Sequence, residues 1–288
     1  MSTVSRLSRI EMISADPGRL AAFYRSLGFS GTKSTKGAPD LSARVAQWLG
    51  DQRVDLVAPT LVGAPYPSSV PGWSPYFQHI AIVVADMAGA YAKLRDQAGW
   101  RAISTNGPER LPDASGGVTA FKFHDPEGHP VELIWFEPER APARWRHAGG
   151  GRLFLGIDHS AISVADTARS AAFYEKLGLR KTGGSLNVGA EQARLDDVPT
   201  PRVEVTALAP AGQATPHLEL LAYRGDYSRP TKPLGLEDIA ATRLVFETRQ
   251  AGTLTQGSAM WDPDGHLLVL EDGETTTDSG QPPVAKPG

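Results

Sequence analysis

The sequence predicts an α+β protein built from four β-α-β-β-β units, the fourth of them shortened. Three observations predict it. The segment Ala21-Ala22-Phe23-Tyr24-Arg25-Ser26-Leu27-Gly28-Phe29 recurs 150 positions later as Ala171-Ala172-Phe173-Tyr174-Glu175-Lys176-Leu177-Gly178-Leu179. A strand opened by histidine occurs twice, as His79-Ile80-Ala81-Ile82-Val83-Val84-Ala85-Asp86 and as His159-Ser160-Ala161-Ile162-Ser163-Val164-Ala165-Asp166. The turn Asp125-Pro126-Glu127-Gly128-His129 returns as Asp262-Pro263-Asp264-Gly265-His266.

The first unit runs over 7–59. Its alternating strand ends at Ala15-Asp16, and Asp is a good N-cap for the helix that follows. Gly28, after Leu27, fits a helix C-terminus. Phe23, like Phe173 in its copy, is expected between helix and sheet. The stretch Pro59–Pro75, rich in Pro, Gly and Ser, reads as a linker. The second unit, 77–138, repeats the plan: strand from His79, cap at Asp86, helix from Ala90 to Gln97, then a hairpin. Its Asp-Pro-X-Gly turn is strong turn chemistry, because Pro sets φ and Gly accepts a positive φ. His129 and His266 are therefore read as turn-flanking residues. A second linker, Glu139–Arg152, holds Pro142 and three glycines at 149–151. Its basic side chains are read as solvated. The third unit runs over 155–224 and the fourth over 236–272. In the fourth, Arg249 to Thr255 is too short for a helix and two strands. The tail beyond Asp272 has a disordered composition. These boundaries suggest an N-terminal domain at 1–140, a C-terminal domain at 150–274 and a tail at 275–288.

Composition narrows the function classes. A chain of 288 residues favours one or two domains with an ample core. With 41% apolar and 21% charged residues it reads as an ordinary soluble globular protein. A net charge of -3 gives no reason to expect a nucleic-acid partner. The absence of cysteine excludes disulfides, thiolate metal sites and a cysteine nucleophile. It is compatible with a reducing cytoplasm, the expected location. The N-terminus lacks the apolar core of a signal peptide. No run reaches the roughly 20 apolar residues that span a bilayer. Gly116-Gly117 lacks the Lys-Ser/Thr partner of a phosphate loop, and no serine sits in a Gly-X-Ser-X-Gly elbow. A small-molecule substrate and a monomer or homodimer are expected.

The chemistry concentrates in the two middle units. With period-2 alternation, His79, Ala81 and Val83 share one strand face, and His159, Ala161 and Ser163 share another. These faces carry small residues and leave room for a ligand, while the opposite faces suit a covering helix. Glu132 and Glu219 interrupt apolar runs, where an unpaired carboxylate is costly to bury. Two imidazoles and two carboxylates suit a divalent metal (Zn, Ni, Mn or Fe), among which the residues do not choose. His217 shares the face of Glu219 as a spare ligand or as support behind the ligands. Trp48, Trp73, Trp135, Tyr223 and Trp261 are candidates to line a cavity, with core packing the plainer expectation.

Paired β-α-β-β-β units, Phe-Tyr…Leu-Gly helix ends and Asp-Pro-Asp/Glu-Gly-His turns resemble the vicinal oxygen chelate superfamily over residues 7–272. That superfamily includes glyoxalase I, extradiol dioxygenases, fosfomycin-resistance enzymes and bleomycin-binding proteins. The resemblance implies two half-barrel modules, each enclosing a cavity, with metal ligands on the first and last strands of a unit. Those positions hold His79 and Glu132 in the second unit and His159 and Glu219 in the third. In the first they hold Arg9 and Asp55, and in the fourth Arg243 and Val269. A guanidinium has no lone pair to donate, so the outer units lack a normal ligand pair. Two pairings are open. Sequential pairing gives each cavity one His and one Glu. Pairing inner with inner unites all four donors and puts Arg9 with Arg243 near Asp55, in a salt-bridged or anion-binding hollow. The resemblance further implies a glyoxalase-like, metal-dependent lyase or isomerase acting on vicinal oxygens, with Glu132 or Glu219 as general base. A metal-free drug-binding protein of the bleomycin-resistance type is the alternative. An extradiol dioxygenase is disfavoured, because its usual triad needs ligands from the fourth unit.

Overall fold

The computed structural model describes residues 4–31, 41–61, 63–146, 150–227, 233–248 and 258–273. The first unit contributes β1 (Val4–Ile13), α1 (Pro17–Ser26), β2 (Ser30–Gly31), β3 (Leu41–Leu49) and β4 (Gln52–Pro59). The second contributes β5 (Gln78–Val84), α2 (Met87–Arg95), β6 (Arg101–Ala102), β7 (Glu109–Arg110), β8 (Thr119–His124) and β9 (Pro130–Trp135). A short helix, α3 (Ala143–Arg146), lies in the second linker. The third unit holds β10 (Phe154–Ser163), α4 (Thr167–Lys176), β11 (Leu179–Val188), α5 (Ala190–Asp196), β12 (Arg202–Pro210) and β13 (His217–Tyr223). The fourth holds β14 (Arg243–Thr248), β15 (Ser258–Trp261) and β16 (Leu267–Asp272), with no helix among its described residues.

Strand pairing joins inner with inner and outer with outer. One open sheet runs β15-β16-β14-β1-β4-β3-β2, from the fourth and first units. The other runs β11-β12-β13-β10-β5-β9-β8-β6, from the third and second, with β7 on β8. Sequential pairing within one sheet is therefore overturned. Each sheet draws strands from both halves of the sequence, 1–140 and 150–274. The tail expected at 275–288 lies outside the described residues.

The helix caps follow the sequence. The Asp16 side chain accepts from Arg19 N, Asp86 from Ala88 N and Gly89 N, and Asp166 from Arg169 N. Each cap satisfies backbone donors that a helix start leaves open. The apolar stripes of the helices and one face of the strands meet in one cluster running through all four units. It includes Ile10, Leu56, Ile80, Ile82, Leu133, Leu218, Leu220, Leu244 and Phe246.

The Asp-Pro-X-Gly turns do more than reverse the chain. They tie consecutive units together across the sheets. His129 Nε2 lies 2.9 Å from the Ile13 carbonyl, and His266 Nε2 lies 2.8 Å from that of Ser163. Tyr24 OH donates to Asp125 at 2.9 Å, and Tyr174 OH donates to Asp262 at 3.0 Å. Glu127 accepts from Ala15 N and Asp16 N, and Asp264 from Ala165 N. The same turn thus locks the second unit onto the first and the fourth onto the third. This double role explains why both histidines are buried.

Candidate metal centre

The inner sheet builds the site by register. β5 runs parallel to β9 with Ala81 beside Glu132, and β10 runs parallel to β13 with Ala161 beside Glu219. His79 and His159 each stand two residues before those alanines, hence on the same faces. β5 and β10 are antiparallel neighbours, with His159 opposite Ala81 and Ala161 opposite His79. The imidazoles therefore lie on a diagonal, and the two alanines leave the space between them clear.

His79, Glu132 and His159 converge, and Glu219 adjoins them through His159. The Nε2 atoms of His79 and His159 are 3.4 Å apart. Glu132 Oε2 is 3.1 Å from His79 Nε2 and 3.5 Å from His159 Nε2. Glu219 Oε2 is 3.6 Å from His159 Nε2. Four N and O donors at about 2.1 Å from one ion stand about 3.0 to 3.5 Å from each other. The spacings among His79, Glu132 and His159 match that range, Glu219 reaches only His159, and the donor types suit a divalent cation. His79, Glu132 and His159 are buried together, and Glu219 is the most open, with its side chain 20% exposed. A second cluster, Asp158, His159 and His217, shares His159 with the first.

A bulge supplies a residue that the sequence reading missed. The register of β10 slips between Ile157 and His159. Such an extra residue re-aims side chains beside a site. Asp158 and His159, which ideal alternation would put on opposite faces, both line the cavity. Asp158 Oδ2 lies 3.2 Å from His159 Nδ1, and Asp158 Oδ1 accepts from Trp145 Nε1 at 2.7 Å. Trp145 comes from α3, so the linker supports the site. No period-2 count could have found Asp158, because the bulge is what breaks the period.

Electrostatics hold both carboxylates and His79 in ligating forms, whereas His159 has to give up a proton before it can ligate. Burial alone would raise Glu132, yet the Lys122 charge and its hydrogen bonds to His159 and His79 hold it well below the usual carboxylate range. Glu219 is lowered against burial by His159 and His217. His79 is lowered, chiefly by burial. His159 is raised well above an ordinary imidazole: the charges of Glu219, Asp158 and Glu132 outweigh burial.

These side chains line a cavity of about 450 Å³. Leu111, Val118, Ile134, Leu195, Val203 and Leu221 form apolar walls. Next to Glu132 on the neighbouring strand, Lys122 Nζ donates to Asp196 Oδ1 at 2.7 Å, and Asp196 Oδ2 accepts from Tyr223 OH at 2.8 Å and Gln192 Nε2 at 2.6 Å. Asp196 and Gln192 sit on α5, which the sequence reading did not anticipate. Its signal was present in Ala190-Glu191-Gln192-Ala193-Arg194-Leu195, a helix-forming run after a glycine. Of the five aromatic candidates only Tyr223 lines this cavity. Trp73 stacks on Tyr227 behind it, Trp135 donates to the Ala85 carbonyl, and Trp48 and Trp261 are exposed. His217 is 3.4 Å from Glu219 Oε1 and opens onto a neighbouring hollow beside Arg180, Gly183 and Gln213.

The outer sheet carries the same register with different residues. Glu11 lies beside Asp55 and Val245 beside Val269, with Arg9 and Arg243 two residues ahead. Arg9 bonds Glu11 at 2.8 Å and Glu271 at 2.6 Å and stands 3.5 Å from Asp55. Arg44 bridges Glu11 and Asp55, Arg53 bonds Asp55, and Arg243 lies 3.6 Å from Glu11. Guanidinium groups thus occupy the space that corresponds to the inner donor cluster. Glu11, Arg44, Arg53 and Glu271 escaped the sequence reading because none has a counterpart in the inner pair.

Residues 6–133 match the model of the Glyoxalase/Bleomycin resistance protein/Dioxygenase superfamily. Among solved structures, glyoxalase I from Zea mays is similar at 18% identity and a TM-score of 0.60, covering 93% of this chain and 92% of that one. A mutant of the same Zea mays enzyme gives 18% identity and 0.61, covering 93% and 92%. A putative dioxygenase from Bacillus subtilis subsp. subtilis str. 168 gives 12% and 0.56, covering 94% and 86%. These likenesses concern the fold. No curated protein matches the sequence significantly. None of the described helices is long and apolar enough to cross a membrane.

Proposed function

With residues 6–133 a domain of the Glyoxalase/Bleomycin resistance protein/Dioxygenase superfamily, we propose that the chain is a metal-dependent enzyme acting on a small substrate with vicinal oxygens, in the manner of a glyoxalase-like isomerase or lyase. The observation that carries this reading is the convergence of His79, Glu132 and His159 within 3.1–3.5 Å on one cavity wall, with Glu219 beside them 3.6 Å from His159. These four side chains would hold the ion, which as a Lewis acid supplies charge stabilisation at the bound oxygens.

The protein's own groups divide the remaining work. Glu132 is pinned by both imidazoles and keeps its place. Glu219, more open and held by the longer contact to His217, is the residue placed to accept a proton from the substrate carbon between the two oxygens. His217 steadies the rear oxygen of Glu219. The apolar walls exclude water from the site. Zn, Ni, Mn and Fe all suit the donor set.

A metal-free binding protein is the second reading. It is favoured by the 3.1 Å contact between His79 Nε2 and Glu132, which pairs these two atoms without an ion. An extradiol dioxygenase is not supported, since Arg243 and Val269 of the fourth unit sit in the outer sheet, away from the inner cavity.

Elemental analysis of the purified protein, with deuterium exchange at the C–H of small α-hydroxyketones followed by NMR, tests the proposal. Bound divalent metal, and exchange that chelation abolishes and added metal restores, are the expected results. Equal exchange by metal-free protein overturns it.

A further inference from the structure

The proposed inner site also contains a group that metal chemistry does not use. Lys122 lies on β8 opposite Glu132 of β9, and it is almost fully buried on the cavity wall. Its ammonium has three N–H donors. Asp196 takes one at 2.7 Å, and the ring of Phe77 lies 5.9 Å from the nitrogen. Among the described residues no other oxygen accepts from it. Buried donors are seldom left without acceptors, so an ammonium with spare N–H bonds on a cavity wall asks for an oxygen from whatever fills the cavity.

The charge around it says what kind of oxygen. Inside the cavity four carboxyl side chains, Glu132, Asp158, Asp196 and Glu219, face two cations, the Lys122 ammonium and the His159 imidazolium. Four negative charges against two leave −2, and a divalent ion that displaces the His159 proton brings the balance only to −1. The lysine is itself already matched by Asp196. At the rim, Asp113 is paired with Arg110 and Arg140. A carboxylate or phosphate entering this space would meet like charge with no unmatched cation to receive it, a costly arrangement at low dielectric. An uncharged hydroxyl or carbonyl oxygen suffers no such penalty.

We infer that the inner cavity takes an uncharged, largely apolar molecule, and that Lys122 donates a hydrogen bond to one of its hydroxyl or carbonyl oxygens. The inference rests on the proposed inner site and sharpens it. It assigns the substrate class by charge, and it adds Lys122 as a substrate-contacting residue, fixed by Asp196 from α5. The body of the molecule lies against Leu111, Val118, Leu195 and Leu221.

The test compares two probes of one skeleton, 2-hydroxyacetophenone and mandelate, the first neutral and the second an anion. Both are titrated by calorimetry into the protein as purified and after chelator treatment. The neutral ketone is expected to bind at least about tenfold more tightly than mandelate, given the cost of an unmatched charge. The double substitution Lys122→Met with Asp196→Asn removes the donor, leaves the cavity's charge unchanged and avoids stranding a buried carboxylate. It is expected to weaken the ketone about tenfold, the scale of a hydrogen bond from a charged donor, read at saturating metal and again in chelator-treated protein because the Lys122 charge also acts on Glu132. Mandelate binding as well as the ketone, a double variant that binds the ketone like the wild type, or failure of both probes at millimolar concentration overturns the inference. A protein without metal defeats the proposed function, whereas the probe preference in chelator-treated protein still decides the role of Lys122.

Discussion

The Nε2 atoms of His79 and His159 lie 3.4 Å apart although 80 positions separate the residues. Two buried imidazole nitrogens this close can share a proton or, as the proposed function requires, ligate one cation. One divalent ion per chain is therefore expected. His79→Ala and His159→Ala should each weaken it beyond the 10–100-fold typical of losing an outer partner. Competition against a chromogenic chelator measures this. Wild-type affinity in either variant would remove the shared site.

Glu132 and Glu219 are not equivalent, although the sequence presents them as copies. Glu132 touches both histidines, while Glu219 touches His159 from a more open position. Glu132→Gln should cost more metal affinity than Glu219→Gln. Glu219→Gln should instead abolish carbon–hydrogen exchange while retaining most of the metal. The reverse order would exchange their roles.

Asp158 shows where the sequence stopped being legible. The four candidate ligands were readable because each interrupts or opens an apolar strand at a repeated position. The helix caps Asp16, Asp86 and Asp166 were readable because capping is local. Asp158 owes its place to a bulge, and Lys122 and Asp196 owe theirs to the contact of α5 with the second unit, which no local pattern encodes. The choice between the two unit pairings was likewise open in sequence, since it depends on which edges of β5 and β10 meet.

The support of Asp158 is itself testable. It holds His159 Nδ1 at 3.2 Å and is anchored by Trp145. A carboxylate behind a ligating imidazole fixes its tautomer and raises its basicity. Asp158→Asn should lower metal affinity about 10–100-fold, and Trp145→Phe should lower it less. Unchanged affinity in Asp158→Asn would reduce the carboxylate to a packing role.

The outer ionic network makes a prediction about stability. Glu11 and Asp55 are buried, and burial would raise Glu11 were it not for Arg44 and Arg9, which hold it below the usual range. Removing one partner of a buried pair costs about 3–5 kcal/mol, because the remaining charge is stranded. Arg9→Leu should therefore destabilise the fold on that scale in urea unfolding. Adding Glu11→Gln should recover part of the loss. A fully stable Arg9→Leu protein would show that the remaining guanidiniums suffice.

The contact between the first two units gives a pH dependence of known sign. Asp125 accepts from Tyr24 OH and lies 2.9 Å from His129 Nδ1. Burial would raise Asp125, but His129 and local hydrogen bonds lower it; burial would lower His129, but Asp125 raises it. A lowered carboxyl contributes stability above its unfolded value near about 4, and loses it as pH falls through the folded value. A raised imidazole contributes fully below its unfolded value near about 6.5, and loses that contribution as pH rises through the folded value. The pair therefore contributes most between those limits. The Tm difference between the wild type and His129→Asn, followed across pH, should be largest between about 4 and 6.5. It should shrink on the alkaline side, where the neutral imidazole keeps a single N–H and donates to Asp125 or to the Ile13 carbonyl, not to both. A difference that grows with rising pH would mean that His129 is held neutral and that the two units are joined by hydrogen bonding alone.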